Sequence, residues 1–265
     1  MGSSTLPTQN CAISLRLSLL LASPIYSTAS WVVFASSVLA RGSTNSSSGP
    51  VVNLGYAQYR GNTTLRSNFS TDVFYGIRFA QTPVGELRWQ PPQNIEAHND
   101  YNPTEIIDAQ TPSPSCVQGT PAWSLDANQT GPNPVASITV AGQEDCLLLD
   151  VYVPESPQST SLPVLVNIHG GGYTEGGAAG NAWPALVHAS GGSIIYVSTQ
   201  YRLGAYGFLS SAEVRENGQA NAGLLDQRSA LDWVQRNIRA FGGDPSKVTI
   251  IGGSAGGGSG KSFQG

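Results

Sequence analysis

The stretch Val248-Thr249-Ile250-Ile251 reads as a buried strand and runs directly into Gly252-Gly253-Ser254-Ala255-Gly256. An apolar, β-branched run that meets a cluster of small residues must turn at once, and G-x-S-x-G is the pattern of a sharp strand-to-helix turn, the nucleophile elbow. Gly252 and Gly256 would leave room for the serine backbone to adopt a strained conformation and lift its hydroxyl clear of the sheet. Alone, in a chain with 31 glycines, the pentapeptide is equally well explained as a glycine-rich turn. Its position after an apolar strand gives it weight.

Three earlier runs, Leu147 to Val153, Val164 to Ile168 and Ile194 to Ser198, read as further buried strands. Between the last of these and Val248, residues Leu224, Leu231, Val234, Ile238 and Phe241 recur at helical spacing, which predicts an amphipathic helix over 221–241. Asn221 is placed to cap it, and Gly242 with Gly243 to end it. Strand, helix and strand in this order imply an α/β layer with parallel pairing. The strand at Val164 to Ile168 ends in His169-Gly170-Gly171-Gly172-Tyr173. Acyl transfer creates a tetrahedral oxyanion, and each fixed amide N–H aimed at it contributes about 3–4 kcal/mol. An HGGG-type turn supplies such amides, and that of Ala255, just after the serine, would add another. His169 is also readable as a packed core histidine.

At 265 residues with 40% hydrophobic side chains, the chain has room for a substantial core. Charged residues are only 11%, and 13 basic against 17 acidic gives −4, which argues against a nucleic-acid partner. Residues 1–40 carry one charged side chain, Arg16, and two apolar runs, Leu15 to Ala22 and Trp31 to Ala40. Val38, Leu39 and Ala40 fit a cleavage site, so 1–40 reads as an export signal; Pro24 and the hydroxyl-rich Ser23 to Ser30 argue against a stable membrane span. A secreted product would lose Cys11 and keep Cys116 and Cys146. In an oxidising compartment these two read as a disulfide, the alternative being two unrelated buried thiols. Closing that loop of about 30 residues would stabilise by about 3–4 kcal/mol. Sequons at Asn45, Asn62, Asn68 and Asn128 fit a glycoprotein. Residues 41–50 read as a flexible mature N-terminus and 111–145 as a long surface loop.

Motifs in a fixed order over residues 51–259 carry a family resemblance: YGIRFA at 75–80, PVGELRWQPP at 83–92, EDCLLLDVYVP at 144–154, HGGGY at 169–173 and QYRLGAYGFL at 200–209. They are followed by NAGLLDQRSALDWVQRNIRAFGGDP and the Ser254 turn. Together they resemble the N-terminal half of the type-B carboxylesterases, the cholinesterase-like branch of the α/β-hydrolases. The resemblance implies a mostly parallel α/β-hydrolase sheet with flanking helices, and a serine hydrolase of small carboxylic esters that acts through an acyl-enzyme without cofactor or metal. It makes Ser254 the nucleophile, places Gly171, Gly172 and Ala255 at the oxyanion hole, and pairs Cys116 with Cys146. Arg88 with Glu144, and Arg202 with Asp226, fall at positions of structural ion pairs.

Several features depart from that pattern. In this fold the serine is followed by an acid and then a histidine, yet no Asp, Glu or His follows Ser254. His98, His169 and His188 all precede it; His169 belongs to the glycine turn, and the other two read as surface or packing residues. Four glycines at 256, 257, 258 and 260 would cost a helix about 4 kcal/mol relative to Ala. The expectation is therefore that the chain is truncated after the elbow, leaves the family pattern after Ser259 and ends in an unrelated tail, 260–265. Gly253 stands where the family carries an acidic residue, which weakens support around the serine. Trp123 reads as a packed aromatic. Two rival readings remain: a non-catalytic extracellular binding or adhesion module on the same fold, and a phosphate loop at Ala255 to Ser262, one residue from the A-x-x-x-x-G-K-S pattern's stricter glycine form. The export reading predicts a mature product that begins at Arg41 and, denatured without reductant, shows no titratable thiol; two thiols would refute the bridge.

Overall fold

The computed structural model describes residues 48–66, 68–119, 141–179 and 184–263. The expected signal segment, Asn45, Trp123 and Asn128 lie outside these residues. A small sheet is built from β1 (Val51–Asn53), β2 (Gln58–Arg60) and β5 (Ile106–Asp108), in the order β1-β2-β5. The main sheet takes β3 (Asn62–Arg66), β4 (Phe69–Arg78), β6 (Leu148–Pro154), β7 (Leu162–Ile168), β8 (Ile195–Thr199) and β9 (Gly243–Gly252), in the order β3-β4-β6-β8-β7-β9. Parallel pairing, expected from the strand-helix-strand pattern, occurs where β7 meets β8 and β9. The β3-β4-β6-β8 side is antiparallel, so the described sheet is mixed.

The four strands expected from apolar runs are present, each extended or shifted by a few residues; β6, β7 and β8 are largely buried, whereas β9 is mostly half-exposed or exposed. β6 and β8 are buried almost along their whole length. The early strands have no such signature: β3 reads Asn-Thr-Thr-Leu-Arg and is largely exposed.

The helices are α1 (Pro184–Ala189), α2 (Gly204–Phe208), α3 (Ala212–Asn217), α4 (Ala222–Asn237) and α5 (Ala255–Ser262). α4 continues through a 3-10 turn at Ile238–Phe241 and ends at Gly242, whose φ of 83° needs the freedom of glycine. Asn221 precedes α4, but its side chain makes no capping hydrogen bond; its carbonyl instead accepts from the amides of Leu224 and Leu225. Val234, Ile238 and Phe241 are buried as expected, but the rest of the buried face is turned away from Leu224 and Leu231. Ala222, Gly223, Asp226, Ala230, Trp233 and Val234 face inward, whereas Leu231 packs at the margin and Leu224 is half-exposed. Close approach at Gly223 sets this rotation, since a Cβ there would lie 2.5 Å from the Arg202 carbonyl. A buried ion pair sets it too. The Arg202 Nε and Nη2 donate to both Asp226 oxygens at 2.8 and 2.7 Å, and the Arg202 amide donates to Asp226 Oδ2. Both side chains are almost fully buried, so the pair fixes geometry more than it adds stability.

Trp233, Phe74 and Phe241 anchor the core between α4 and the sheet, with Phe74 and Phe241 edge-to-face at 5.2 Å. On the opposite sheet face, Val187 of α1 packs with Val73, Tyr152 and Tyr196. A β-bulge in β4 between Phe74 and Ile77 lies against β6. There the Gly76 amide, at φ 64°, donates to Asp150 Oδ1 at 2.9 Å.

Asp150 is buried, and burial pushes its carboxyl up to about 7, opposed only by the Gly76 hydrogen bond. Because the folded value lies above the unfolded one near 3.8, the folded state binds the extra proton between about pH 4 and 7. Its contribution to stability is therefore complete below pH 4 and is lost as pH rises through 7. Asp150→Asn keeps the acceptor for Gly76 and carries no charge to desolvate. Urea titrations from pH 4 to 8 should show this variant gaining on the parent as pH rises; equal pH dependence of the two would refute the assignment.

Candidate active site

Two glycine-rich turns leave adjacent parallel strands at the same level. Ile168, the last residue of β7, is in register with Gly252, the last of β9. From Ile168 the chain enters His169 to Gly176; from Gly252 it enters Gly253 and Ser254 before α5. Ser254 sits at φ 53°, ψ −121°, a strained backbone for any residue with a Cβ, and is exposed. The crossing is tight enough to demand glycine. A Cβ on Gly256 would lie 2.0 Å from the Ile168 carbonyl oxygen, and one on Gly252 would lie 2.4 Å from the Gly256 carbonyl carbon. A Cβ on Gly170 would lie 3.3 Å from the Ser254 Cβ, which places the two turns side by side.

The first turn is held by contacts that no sequence periodicity announces. Gly171 and Gly172 have φ of 108° and 61°, and the amides of Thr174 and Glu175 both donate to the Gly171 carbonyl. The Gln118 side-chain amide donates to the carbonyls of Cys116 and Gly176, while its Oε1 accepts from the Gly176 amide. The disulfide Cys116–Cys146 anchors the segment carrying Gln118, and Gln200 accepts the Cys116 amide hydrogen bond. The Tyr173 hydroxyl donates to the Ala255 carbonyl at 2.9 Å, tying the turn to the start of α5.

His169 is buried under Tyr201, ring centroids 4.3 Å apart, with Nδ1 at 2.8 Å from the Gly170 carbonyl. Burial holds its imidazole below the ordinary range, and Tyr201 in turn donates to the His169 carbonyl. It is a structural part of the turn, the packed alternative. His188 on α1 lies edge-on to Phe69, and His98 approaches the Asn94 carbonyl. Beside Ser254 opens a cleft of about 520 Å³, lined by both turns and by Gln118 and Glu175.

Of the residues expected from the sequence, Gly171 and Ser254 line this cleft, Gly172 follows in the first turn and Ala255 opens α5; Cys116 and Cys146 are bonded; and Asn62 and Asn68 are exposed. Arg88 pairs with Glu144 in bidentate fashion at 2.5 and 2.8 Å. One expectation fails and one rival reading falls. α5 forms in spite of its glycines, because close contact with β7 and β9 excludes side chains and packing supplies what propensity lacks. Gly260-Lys261-Ser262 lies inside α5, so its amides serve the helix and do not form the anion-binding loop of a phosphate site.

A sequence profile described as the carboxylesterase family matches residues 48–263. The chain belongs to that family. It is 43% identical over 200 residues to Secreted lipase 1 of Botryotinia fuckeliana, covering 71% of this chain and 34% of that protein. With Carboxylesterase 1E of Mus musculus it shares 42% over 186 residues, covering 70% and 31%. The structure of Aspergillus niger EstA superposes with a TM-score of 0.64 at 39% identity, covering 80% of this chain and 37% of that one. The chain thus spans about a third of the length of the relatives it matches. Among the described residues, no helix is long and apolar enough to cross a membrane.

The glycines of α5 divide by environment. Gly256→Ala must push a methyl into the Ile168 carbonyl and should cost about 3 kcal/mol or more, whereas a methyl at Gly260 meets only Ile250 Cγ2 at 3.7 Å. Gly260→Ala should stabilise by about 1 kcal/mol through helix propensity. Chemical denaturation of both variants checks this; a Gly256→Ala protein as stable as its parent would refute the geometry.

Proposed function

We propose that this segment is the nucleophile-bearing part of a secreted serine hydrolase acting on small carboxylic esters. The observation that carries the reading is the strained Ser254 backbone at the end of β9, set against the triple-glycine turn. Holding a non-glycine residue at φ 53° costs about 1–3 kcal/mol, which a surface with no need of a presented hydroxyl has no reason to retain. This favours a hydrolase over a binding or adhesion module.

In this mechanism Ser254 Oγ attacks the ester carbonyl carbon, its proton passes to a base, and the carbonyl oxygen becomes an anion. The amides of Gly171, Gly172 and Ala255 receive that anion; none of them donates to another described group. Ala255 is the first residue of α5, so the helix leaves its N–H unspent and adds the partial positive charge of its N-terminus. Collapse expels the alcohol and leaves an acyl-serine, which water then hydrolyses. His169 does not serve as the base, since its ring is buried and stacked within the turn. The secreted relative and the apolar segment at 1–40 support export, and glycans are proposed at Asn62 and Asn68.

The test is a graft. Residues 48–263, placed in Aspergillus niger EstA in exchange for the matched part, should yield a protein that hydrolyses a short nitrophenyl ester. Ser254→Ala in the graft should lower kcat by about 10⁴-fold or more. Turnover unchanged by that substitution would remove the assignment.

A further inference from the structure

Among the described residues lining the cleft beside Ser254, one side chain is acidic and none is Lys or Arg. The acid is Glu175. The others are glycines, amides, Ile168, Ser254 and His169, and burial keeps the His169 ring from contributing a compensating cation.

The backbone and the stem of Glu175 are held against the glycine turn. Its amide donates to the Gly171 carbonyl at 3.0 Å. A Cβ on Gly171 would lie 2.1 Å from the Glu175 carbonyl oxygen and 3.1 Å from Glu175 Cγ. The stem of Glu175 therefore lies against Gly171, one residue from Gly170, which itself abuts Ser254. Among the described residues no cation forms a salt bridge with the Glu175 carboxylate; the ion pairs lie at Arg78, Arg88, Arg202, Arg236 and Lys247.

A carboxylate with no cationic partner among the described residues, at the wall of an open cleft, acts on every ligand that enters. It attracts cationic groups and repels anionic ones, and the repulsion is as important to selectivity as the attraction. We propose that Glu175 is the specificity-determining residue of this cleft, selecting esters that carry a positive charge near the scissile group and rejecting those that carry a carboxylate. This rests on the reading of the Ser254 cleft as the ester site. The residue acts on substrate charge and takes no part in bond making.

Three arylboronic acids of one shape test it on the 265-residue chain: phenylboronic acid, its 3-trimethylammonio derivative and its 3-carboxy derivative, titrated at low ionic strength. The parent should bind the cationic probe about tenfold more tightly than the neutral one, and the carboxylate probe about tenfold less tightly. Glu175→Gln, which keeps the backbone contacts, should compress the series to within about threefold. Glu175→Asp should restore the order, and circular dichroism should show all variants folded. A flat series in the parent, a series unchanged in Glu175→Gln, or no binding by any probe overturns the proposal. Ser254→Ala separates the two readings: affinities that survive it tell against Ser254 as the attacking group, while the charge series still decides Glu175.

Discussion

The register between β7 and β9 is the constraint on which the site depends. With Ile168 beside Gly252, both strands release their chains at the same height, and helix α5 must start within contact of the β7 carbonyls. The Ile168 oxygen occupies the space where residue 256 would carry a Cβ. Shift the pairing by one residue and the two turns no longer meet; add a methyl at 256 and the helix cannot approach. Strain at Ser254 follows from the same closure, since the chain has two residues, Gly253 and Ser254, in which to reverse from strand to helix.

Around this crossing, polar side chains brace the triple-glycine turn from three directions. Gln118 holds Gly176, Tyr201 holds His169, and Tyr173 reaches across to Ala255. The disulfide steadies Gln118 from behind. Three consecutive glycines would otherwise carry a large entropic cost of ordering, and a set of amides that wanders cannot stabilise a developing charge. The rigidity that glycine lacks is supplied by neighbours distant in sequence.

Much of this was legible in the amino acids. The strands β6 to β8 show as apolar runs because they are buried along most of their length, β9 shows through its β-branched run at 248–251, and the turns at 169–173 and 252–256 show because small residues tolerate such geometry. The early strands were not legible. β3 is polar and exposed, and the pairing of β2 with β5 joins segments more than forty residues apart, held by backbone bonds that any side chain could accompany. The inward face of α4 was misjudged from its leucines because the deciding partners were Asp226, drawn to Arg202, and Gly223, pressed on the Arg202 carbonyl.

The glycines from 256 to 260 divide the two kinds of information most clearly. As local propensity they argue against a helix; in place, Gly256 lets one fit where a Cβ would collide, while Gly260 has room for one. The sequence by itself determined where the chain must turn and which hydroxyl the turn would carry, because glycine, serine and β-branched runs act through their own backbone preferences. Only the tertiary structure decided that α5 forms, that His169 is packed away from the chemistry, and that Glu175 stands in the cleft. Those outcomes depend on which distant atoms fill the neighbouring space, and no local pattern records that.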